Sequence, residues 1–197
     1  MEEIEPPGFR YLMLNKPSGC ICSRQVATGR ETPTVYEYLE RAGFPTDLGH
    51  VGRLDVPTEG LLLFTDDGLL LQALTNHNPT TRDGKLPAWA EQAEATREVV
   101  KVYHCEIVGR RPTEADLELM RQPYVYGKGR GAQRPPEKQV ATLPADVRFV
   151  DAAPAASPNG AASTWIEVRI MEGRNRQVRR LCQRSRLPLH TLRRVAL

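Results

Sequence analysis

The chain has 197 residues and a net charge of +3, and its 40% hydrophobic and 26% charged content is that of a globular protein able to bury a core. No apolar run approaches the roughly 20 residues that span a bilayer, and the acidic start Met1–Glu5 is unlike a signal peptide. We therefore expect a soluble intracellular protein, cytoplasmic in a bacterium or organellar in a eukaryote.

Turn residues, capping signals and hydropathy alternation divide the chain into short strands and short helices. Their order shows no regular βαβ alternation, which predicts an α+β fold with a largely antiparallel sheet. The predicted strands lie at Tyr11–Asn15, Gly60–Thr65, Val99–Val108, within Lys138–Val150, at Thr164–Met171 and at His190–Ala196. The predicted helices lie behind the capping box Thr34–Glu37 as far as Arg41, at Leu69–Thr75, after Thr113 and at Asn175–Arg184.

Four segments are predicted to lie outside this regular framework. They are a loop at Leu48–Glu59, an insertion at 80–98, a mobile glycine- and arginine-rich loop at Gly127–Gln133, and a flexible hairpin tip at 152–163.

The four cysteines, Cys20, Cys22, Cys105 and Cys182, include no Cys-x-x-Cys pair and accompany no His-x(3–5)-His spacing, which argues against a zinc site. Disulfides are rare in reducing compartments, so we expect four reduced packing residues. We predict neither a metal nor a cofactor.

Positive charge is concentrated at the C-terminal end. Arg169–Leu197 holds nine arginines and one acidic residue, Glu172, whereas the other 168 residues hold 18 basic and 23 acidic ones. A basic pole on a mildly acidic body is typical of a protein that binds a polyanion such as RNA. Charge alone leaves a solvated arginine-rich helix as the alternative.

Three segments carry side chains suited to chemistry. Arg53 and Asp55 stand just before an apolar strand, where a carboxylate needs a cationic partner because desolvation otherwise neutralises it. Gly52 and Gly60, which flank them, permit close backbone approach or positive φ. On its own, this pattern is more often a structural cap or a surface ion pair.

In the second segment, Lys101 and Tyr103 project to one face of a strand and suit a phosphate contact beside a base-stacking platform. An ordinary half-exposed strand is the alternative. In the third, Gly173 opens a helix whose N-terminus favours a phosphate. Helical spacing puts Arg176 and Arg180 on one face and turns Arg179 toward another.

Together these segments resemble the RsuA-type family of ribosomal RNA pseudouridine synthases. The similar motifs, in order over residues 10 to 196, are Asn15-Lys16-Pro17-Ser18-Gly19, Gly52–Gly68, Lys101-x-Tyr103 and Glu172–Arg180. The chain is most similar to short members that modify large-subunit ribosomal RNA and lack an S4 domain. The resemblance implies a central mixed sheet with flanking helices, and a cleft between two subdomains. It also implies a catalytic domain over 10–197 behind a tail at 1–9.

The resemblance assigns Asp55 as the essential aspartate, Tyr103 as the tyrosine that packs on the target base, and Arg179 as the basic partner of the aspartate. The predicted contacts to substrate or RNA are Lys16, Arg53, Lys101, Arg174, Arg176 and Arg180. For Arg53, support of the loop and a phosphate contact both stay open. The expected partner is RNA, as ribosomal RNA or a pre-ribosomal particle, bound by a monomer.

The implied reaction breaks the N1–C1′ bond of uridine, turns the base and rejoins it through C5. Asp55 captures an oxocarbenium-like C1′ or assists removal of a proton from C2′, and the sequence leaves both routes open. Family members usually continue beyond Leu197, so we expect a shortened C-terminal end.

Two other classes of protein were weighed. An RNA-binding assembly factor with a vestigial active site is disfavoured by the intact Asp55, Tyr103 and Arg179. A glycosidase of small nucleosides is disfavoured by the basic pole and by the lack of a second well-placed carboxylate.

Overall fold

Residues 8–25, 31–75, 99–126, 128–129, 132–133, 140–150 and 163–197 are described in the computed structural model of the chain. The chain divides into two units, Met1–Thr96 and Arg97–Leu197. The predicted insertion at 80–98, the hairpin tip at 152–162 and most of the N-terminal tail lie outside the described residues.

The N-terminal unit is built around one apolar strand. Its elements are β1 (Tyr11–Lys16), α1 (Val35–Arg41), β2 (Gly49–His50), β3 (Thr58–Thr65) and α2 (Gly68–Thr75). β3 pairs antiparallel with β1 along its length and with β2 at its end. Leu62 and Phe64 of β3 are fully buried, and Val35 and Leu39 of α1 are buried with them in the core.

Both helices of this unit begin where the sequence predicts. Thr34 accepts a hydrogen bond from the amide of Glu37, and the Glu37 carboxylate accepts one from the amide of Thr34, which confirms the capping box. The Asp67 carboxylate accepts from the amides of Leu69 and Leu70 at the start of α2. The predicted loop at Leu48–Glu59 is partly wrong, because β2 forms inside it and β3 starts at Thr58.

The C-terminal unit contains a second antiparallel group of strands. Its elements are β4 (Lys101–Val108), α3 (Glu114–Arg121), β5 (Val125–Tyr126), β6 (Lys128–Gly129), β7 (Ala132–Gln133), β8 (Val140–Ala141), β9 (Asp146–Phe149), β10 (Ser163–Ile170), α4 (Gln177–Arg184) and β11 (Leu189–Ala196). β4 pairs with β11 and β10, and β10 also pairs with β9. All these pairs are antiparallel, as predicted. β6 and β7 pair inside the segment that we predicted to be a mobile loop.

The arginine-rich helix starts later than predicted. α4 begins at Gln177 rather than at Asn175, and Arg176 precedes it in the left-handed conformation, with φ 55° and no side-chain cap. The expectation that Arg176 and Arg180 share one face of a helix is therefore wrong, because Arg176 lies before its first turn. A left-handed conformation costs a residue with a Cβ roughly 1–2 kcal/mol.

The same helix ends with a second left-handed arginine. Arg186 has φ 52°, its amide donates to the carbonyl of Gln183, and the amide of Leu187 donates to the carbonyl of Cys182. These two hydrogen bonds define a Schellman motif, in which glycine is the usual left-handed residue. Arg176 and Arg186 are the two non-glycine residues with positive φ in the described part of the chain.

The capping box of α3 provides a test of local stability. Thr113 accepts from the amide of Asp116, whose carboxylate accepts from the amide of Thr113. We expect Thr113→Ala to lower the free energy of unfolding by about 1 kcal/mol in urea denaturation, because the helix start loses its hydroxyl acceptor. Thr113→Ser, which keeps that acceptor, is the control. Equal losses in both variants would contradict the capping role.

Candidate active site

Asp55 lies in a tight turn directly before β3. The side chain is half-buried, and its backbone carbonyl accepts a hydrogen bond of 2.9 Å from the amide of Thr58. The glycines on either side have positive φ, 65° at Gly52 and 105° at Gly60, as we expected from their positions. The turn thus carries the carboxylate at the entrance to a strand whose next residues form the core.

A buried lysine holds this turn in place. Lys16, at the end of β1, is 0% exposed, and its ammonium donates to the carbonyl oxygens of Thr58 at 2.7 Å, Pro17 at 3.0 Å, and Asp55 and Val56 at 3.3 Å. We predicted Lys16 as a contact to RNA; in the structure its ammonium is enclosed and donates to backbone carbonyls. Its role in this structure is to fix the backbone that presents Asp55.

The segment after Lys16 adds two more contacts to the same turn. The amide of Gly19 donates to the carbonyl of Val56 at 2.8 Å, and the amide of Leu54 donates to the Cys22 thiol at 3.4 Å. Two motifs that lie some 40 residues apart in sequence therefore form one local structure.

Arg53, next to this turn, is exposed and has no hydrogen-bond or ion-pair partner among the described residues. Burial, and then the positive charges of Arg24 and Arg53, lower the pKa of His50.

The C-terminal unit gathers a second set of candidate residues on one face of its sheet. Lys101 and Tyr103 are both buried on the same face of β4, as the alternation predicts. Arg194 of β11 stands opposite Tyr103 in the antiparallel register and is only 2% exposed. Burial, and then the charge of Arg194, lower the pKa of the Lys101 ammonium to about 8. So low an exposure of Lys101 argues against an open-surface contact with the RNA backbone.

Arg179 on α4 lies over that same face. Burial, and then a hydrogen bond with Cys182 of α4, raise the pKa of the Cys105 thiol on β4, while the nearby positive charge of Arg179 opposes this rise. Cys105 follows Tyr103 on the same face of the strand. The structure therefore brings Lys101, Tyr103, Arg179 and Arg194 together within the C-terminal unit, whereas Asp55, Lys16 and Arg53 belong to the N-terminal unit.

The segment before α4 is organised by its single acidic residue. Glu172 is buried, and its carboxylate accepts hydrogen bonds from the Leu143 amide, the Gln177 side-chain amide and the Arg174 guanidinium, all at 2.8–2.9 Å. Arg174 is thereby ion-paired and keeps 40% of its side chain exposed. Arg176 is exposed and Arg180 half-buried, so both can meet solvent.

Sequence reasoning missed Glu172, Gln177 and Arg194 as site residues. Glu172 could have been found from its isolation among nine arginines, since a lone acid in such a segment favours an internal ion pair. Arg194 could not be separated from Arg193 without the strand register.

Among the described residues, no group of three or more His, Cys, Asp or Glu is arranged to hold a metal ion. No helix in the described ranges has the length and apolarity needed to cross a membrane. All four cysteines are buried and free, which confirms the prediction of reduced packing residues.

Comparison with known protein families identifies the family of the chain. Residues 10–184 match the model of the RNA pseudouridylate synthase family, and the chain belongs to that family. It is therefore an enzyme that isomerises uridine in RNA.

The chain is also similar to individual members of this family whose names are known. The chain is 31% identical over 194 residues to ribosomal large subunit pseudouridine synthase E of Xanthomonas axonopodis pv. citri, covering 94% of this chain and 84% of that one. It is 33% identical over 172 residues to ribosomal large subunit pseudouridine synthase B of Pasteurella multocida, covering 87% of this chain but 38% of the relative. Similarity over most of the synthase E length agrees with the resemblance to short family members.

Solved structures show the same fold. A crystal structure of a pseudouridylate synthase superposes with a TM-score of 0.60 at 25% identity, covering 95% of this chain and 62% of that one. Human RNA pseudouridylate synthase domain containing 1 superposes with a TM-score of 0.53 at 18% identity, covering 91% and 63%. The predicted pseudouridine synthase fold is confirmed.

The enclosed ammonium of Lys16 leads to a stability prediction. We expect Lys16→Met to lower the free energy of unfolding by about 3 kcal/mol, because buried carbonyls left without a donor cost about 1–3 kcal/mol each. Arg10→Met is the matched control, since Arg10 is exposed and makes only surface ion pairs with Asp47 and Asp66. A loss for Lys16→Met no larger than that of the control in urea denaturation would contradict the role of Lys16.

The lowered pKa of Lys101 predicts a pH dependence. Its folded pKa of about 8 lies below the unfolded value near 10.4, so between these values the unfolded state binds more protons and stability rises with pH. We expect the wild type to gain on the order of 1–3 kcal/mol relative to Lys101→Met as pH rises from 8 to 10.5. Urea denaturation of both proteins across that range checks the difference, and a constant difference would contradict the lowered pKa.

Proposed function

We propose that this enzyme isomerises a uridine of large-subunit ribosomal RNA and that Asp55 is its catalytic carboxylate. The substrate class is supported by two relatives that are named as ribosomal large subunit pseudouridine synthases and that match most of this chain. The assignment of Asp55 is supported above all by the turn that presents it. The buried ammonium of Lys16 and two backbone hydrogen bonds, from Gly19 to Val56 and from Thr58 to Asp55, fix the position of this turn.

The proposed chemistry needs an ionised carboxylate and little else from the protein. Asp55 stabilises or captures C1′ as the N1–C1′ bond breaks, or takes a proton from C2′. Arg179 supplies the positive charge that keeps the carboxylate ionised when RNA excludes water. Tyr103 offers a flat surface to the extruded uracil, and its hydroxyl reaches the developing charge or the C5 proton.

The target uridine must leave its stack before reaction, which costs a few kcal/mol and is easiest in loops and bulges. Binding energy from the RNA backbone offsets that cost. The exposed Arg53 and Arg176 and the half-buried Arg180 are the proposed phosphate contacts, and Arg174 adds positive charge beside them. We further propose that the protein acts as a monomer in the compartment where ribosomes are assembled, the cytoplasm in a bacterium.

The decisive variant changes only the charge of the proposed catalytic group. We expect Asp55→Asn to reduce tritium release from ribosomal RNA that carries [5-³H]uridine by more than about 10³-fold. RNA affinity should stay within about threefold of the wild type, because the amide keeps the shape of the carboxylate. Asp146→Asn, an exposed carboxylate at the start of β9, is the control and should react at the wild-type rate.

An Asp55→Asn variant that still releases tritium would refute the role of Asp55. Tight RNA binding by the wild type without tritium release, on immature as well as mature RNA, would point instead to an assembly factor with a vestigial site.

A further inference from the structure

An arginine-lined pocket lies along the exposed side of α4. Its volume is about 810 Å³, and the described residues that line it include five arginines and no acidic residue. The arginines are Arg110, Arg176, Arg179, Arg180 and Arg186. Three of these have a role predicted from the sequence, whereas Arg110 and Arg186 have none.

The two left-handed arginines of the chain both line this pocket. Arg176 immediately precedes α4 and Arg186 follows it, so eight helical residues, or about 12 Å of helix, separate them. Each residue stands where an arginine is unfavourable: Arg176 occupies an N-cap without capping it, and Arg186 occupies the glycine position of a Schellman motif. Strained backbone of this kind concentrates at functional sites.

The turn that carries Arg186 is fixed from outside the helix. Arg110 forms a two-pronged ion pair with Asp116 and also donates to the carbonyl of Ser185 at 3.1 Å. The buried Ser185 hydroxyl donates to the carbonyl of Asp116 at 3.1 Å. Arg186 is therefore presented by a pre-organised turn, and its guanidinium is exposed and has no ion-pair partner among the described residues.

We propose that this pocket binds the phosphodiester backbone of the RNA substrate, with Arg176 and Arg186 each contacting a phosphate. The proposal rests on the proposed function, which supplies RNA as the ligand. Guanidinium groups bind phosphate oxygens through paired hydrogen bonds, which suits arginines better than lysines to this task. Among the described residues that line the pocket, none is aromatic, so the pocket lacks the aromatic platform on which bases stack most often, which favours the backbone over the bases.

Such contacts position the RNA without reading its sequence. They act at the two ends of the helix that carries Arg179, so the RNA strand is held on either side of a proposed active-site residue. Arg110 is a positioning residue here, since its side chain is engaged with Asp116 and Ser185.

Glycine variants separate binding from stability at both positions. Arg176→Gly and Arg186→Gly remove a guanidinium while relieving the left-handed strain, so the melting temperature should not fall. An unmodified transcript of large-subunit ribosomal RNA is the probe, and its dissociation constant is measured from 50 to 200 mM KCl. Arg41→Ala, at the exposed end of α1, removes the same charge elsewhere and is the control.

We expect each glycine variant to bind the transcript about fivefold more weakly at 0.1 M salt and the double variant about 25-fold more weakly. The slope of log affinity against log salt should fall by about 0.7–0.9 for each phosphate contact removed. Arg186→Lys should recover most of the slope, because it restores the charge. The control should keep wild-type affinity and slope.

A double variant with wild-type affinity and slope would overturn the proposal. The same result is expected if the pocket binds an acidic protein surface instead of RNA, so that alternative would overturn the proposal as well. Weaker binding with an unchanged slope and a lower melting temperature would also overturn it, as a purely structural effect.

Tritium release by the wild type is scored separately, so failure of the activity is distinguishable from failure of the pocket. Weakened binding by the glycine variants supports the pocket even if the wild type releases no tritium. A wild type that does not bind the transcript overturns both proposals.

Discussion

The enclosed ammonium of Lys16 is the interaction on which the N-terminal unit depends. A lysine removed from water loses its hydration, and only several well-placed acceptors compensate that loss. Here the acceptors are carbonyls of Pro17, Asp55, Val56 and Thr58. The end of β1 and the start of β3 are therefore joined by a charge that neither strand can satisfy alone. The position of Asp55 depends on these hydrogen bonds, because its own backbone carbonyl is one of the acceptors of the Lys16 ammonium.

A carboxylate plays the corresponding part in the C-terminal unit. Glu172 is the one acid among nine arginines, and it is turned inward to bind Leu143, Arg174 and Gln177. This buried acceptor pairs with one arginine of the strongly basic segment, Arg174, while the neighbouring Arg176 is left exposed. The left-handed Arg176 and the late start of α4 fit this constraint, since the chain must turn between Arg174 and Gln177 to keep both on Glu172.

The features that the sequence predicted well are local or periodic. The capping box of Thr34 involves atoms three residues apart, and the shared face of Lys101 and Tyr103 follows from strand alternation alone. The features that the sequence did not predict are the burial of particular side chains and the register of the strands. Sequence shows that Lys16 is charged but not that it is enclosed, and it offers two adjacent arginines, Arg193 and Arg194, without showing which one faces inward. The left-handed Arg176 is hidden because arginine itself favours helix.

The motif that holds Asp55 also encloses a natural reporter group. The Cys20 thiol is 0% exposed, lies 3.5 Å from the carbonyl of Pro17, and has its pKa raised by burial. Because the thiol is enclosed, a thiol reagent reaches it only after a local opening, and separation of the Pro17–Gly19 turn from Val56 is one such opening. The rate at which a thiol reagent labels Cys20 in the native protein therefore measures how often the turn that carries Asp55 opens. RNA that holds this loop closed would slow the labelling of Cys20.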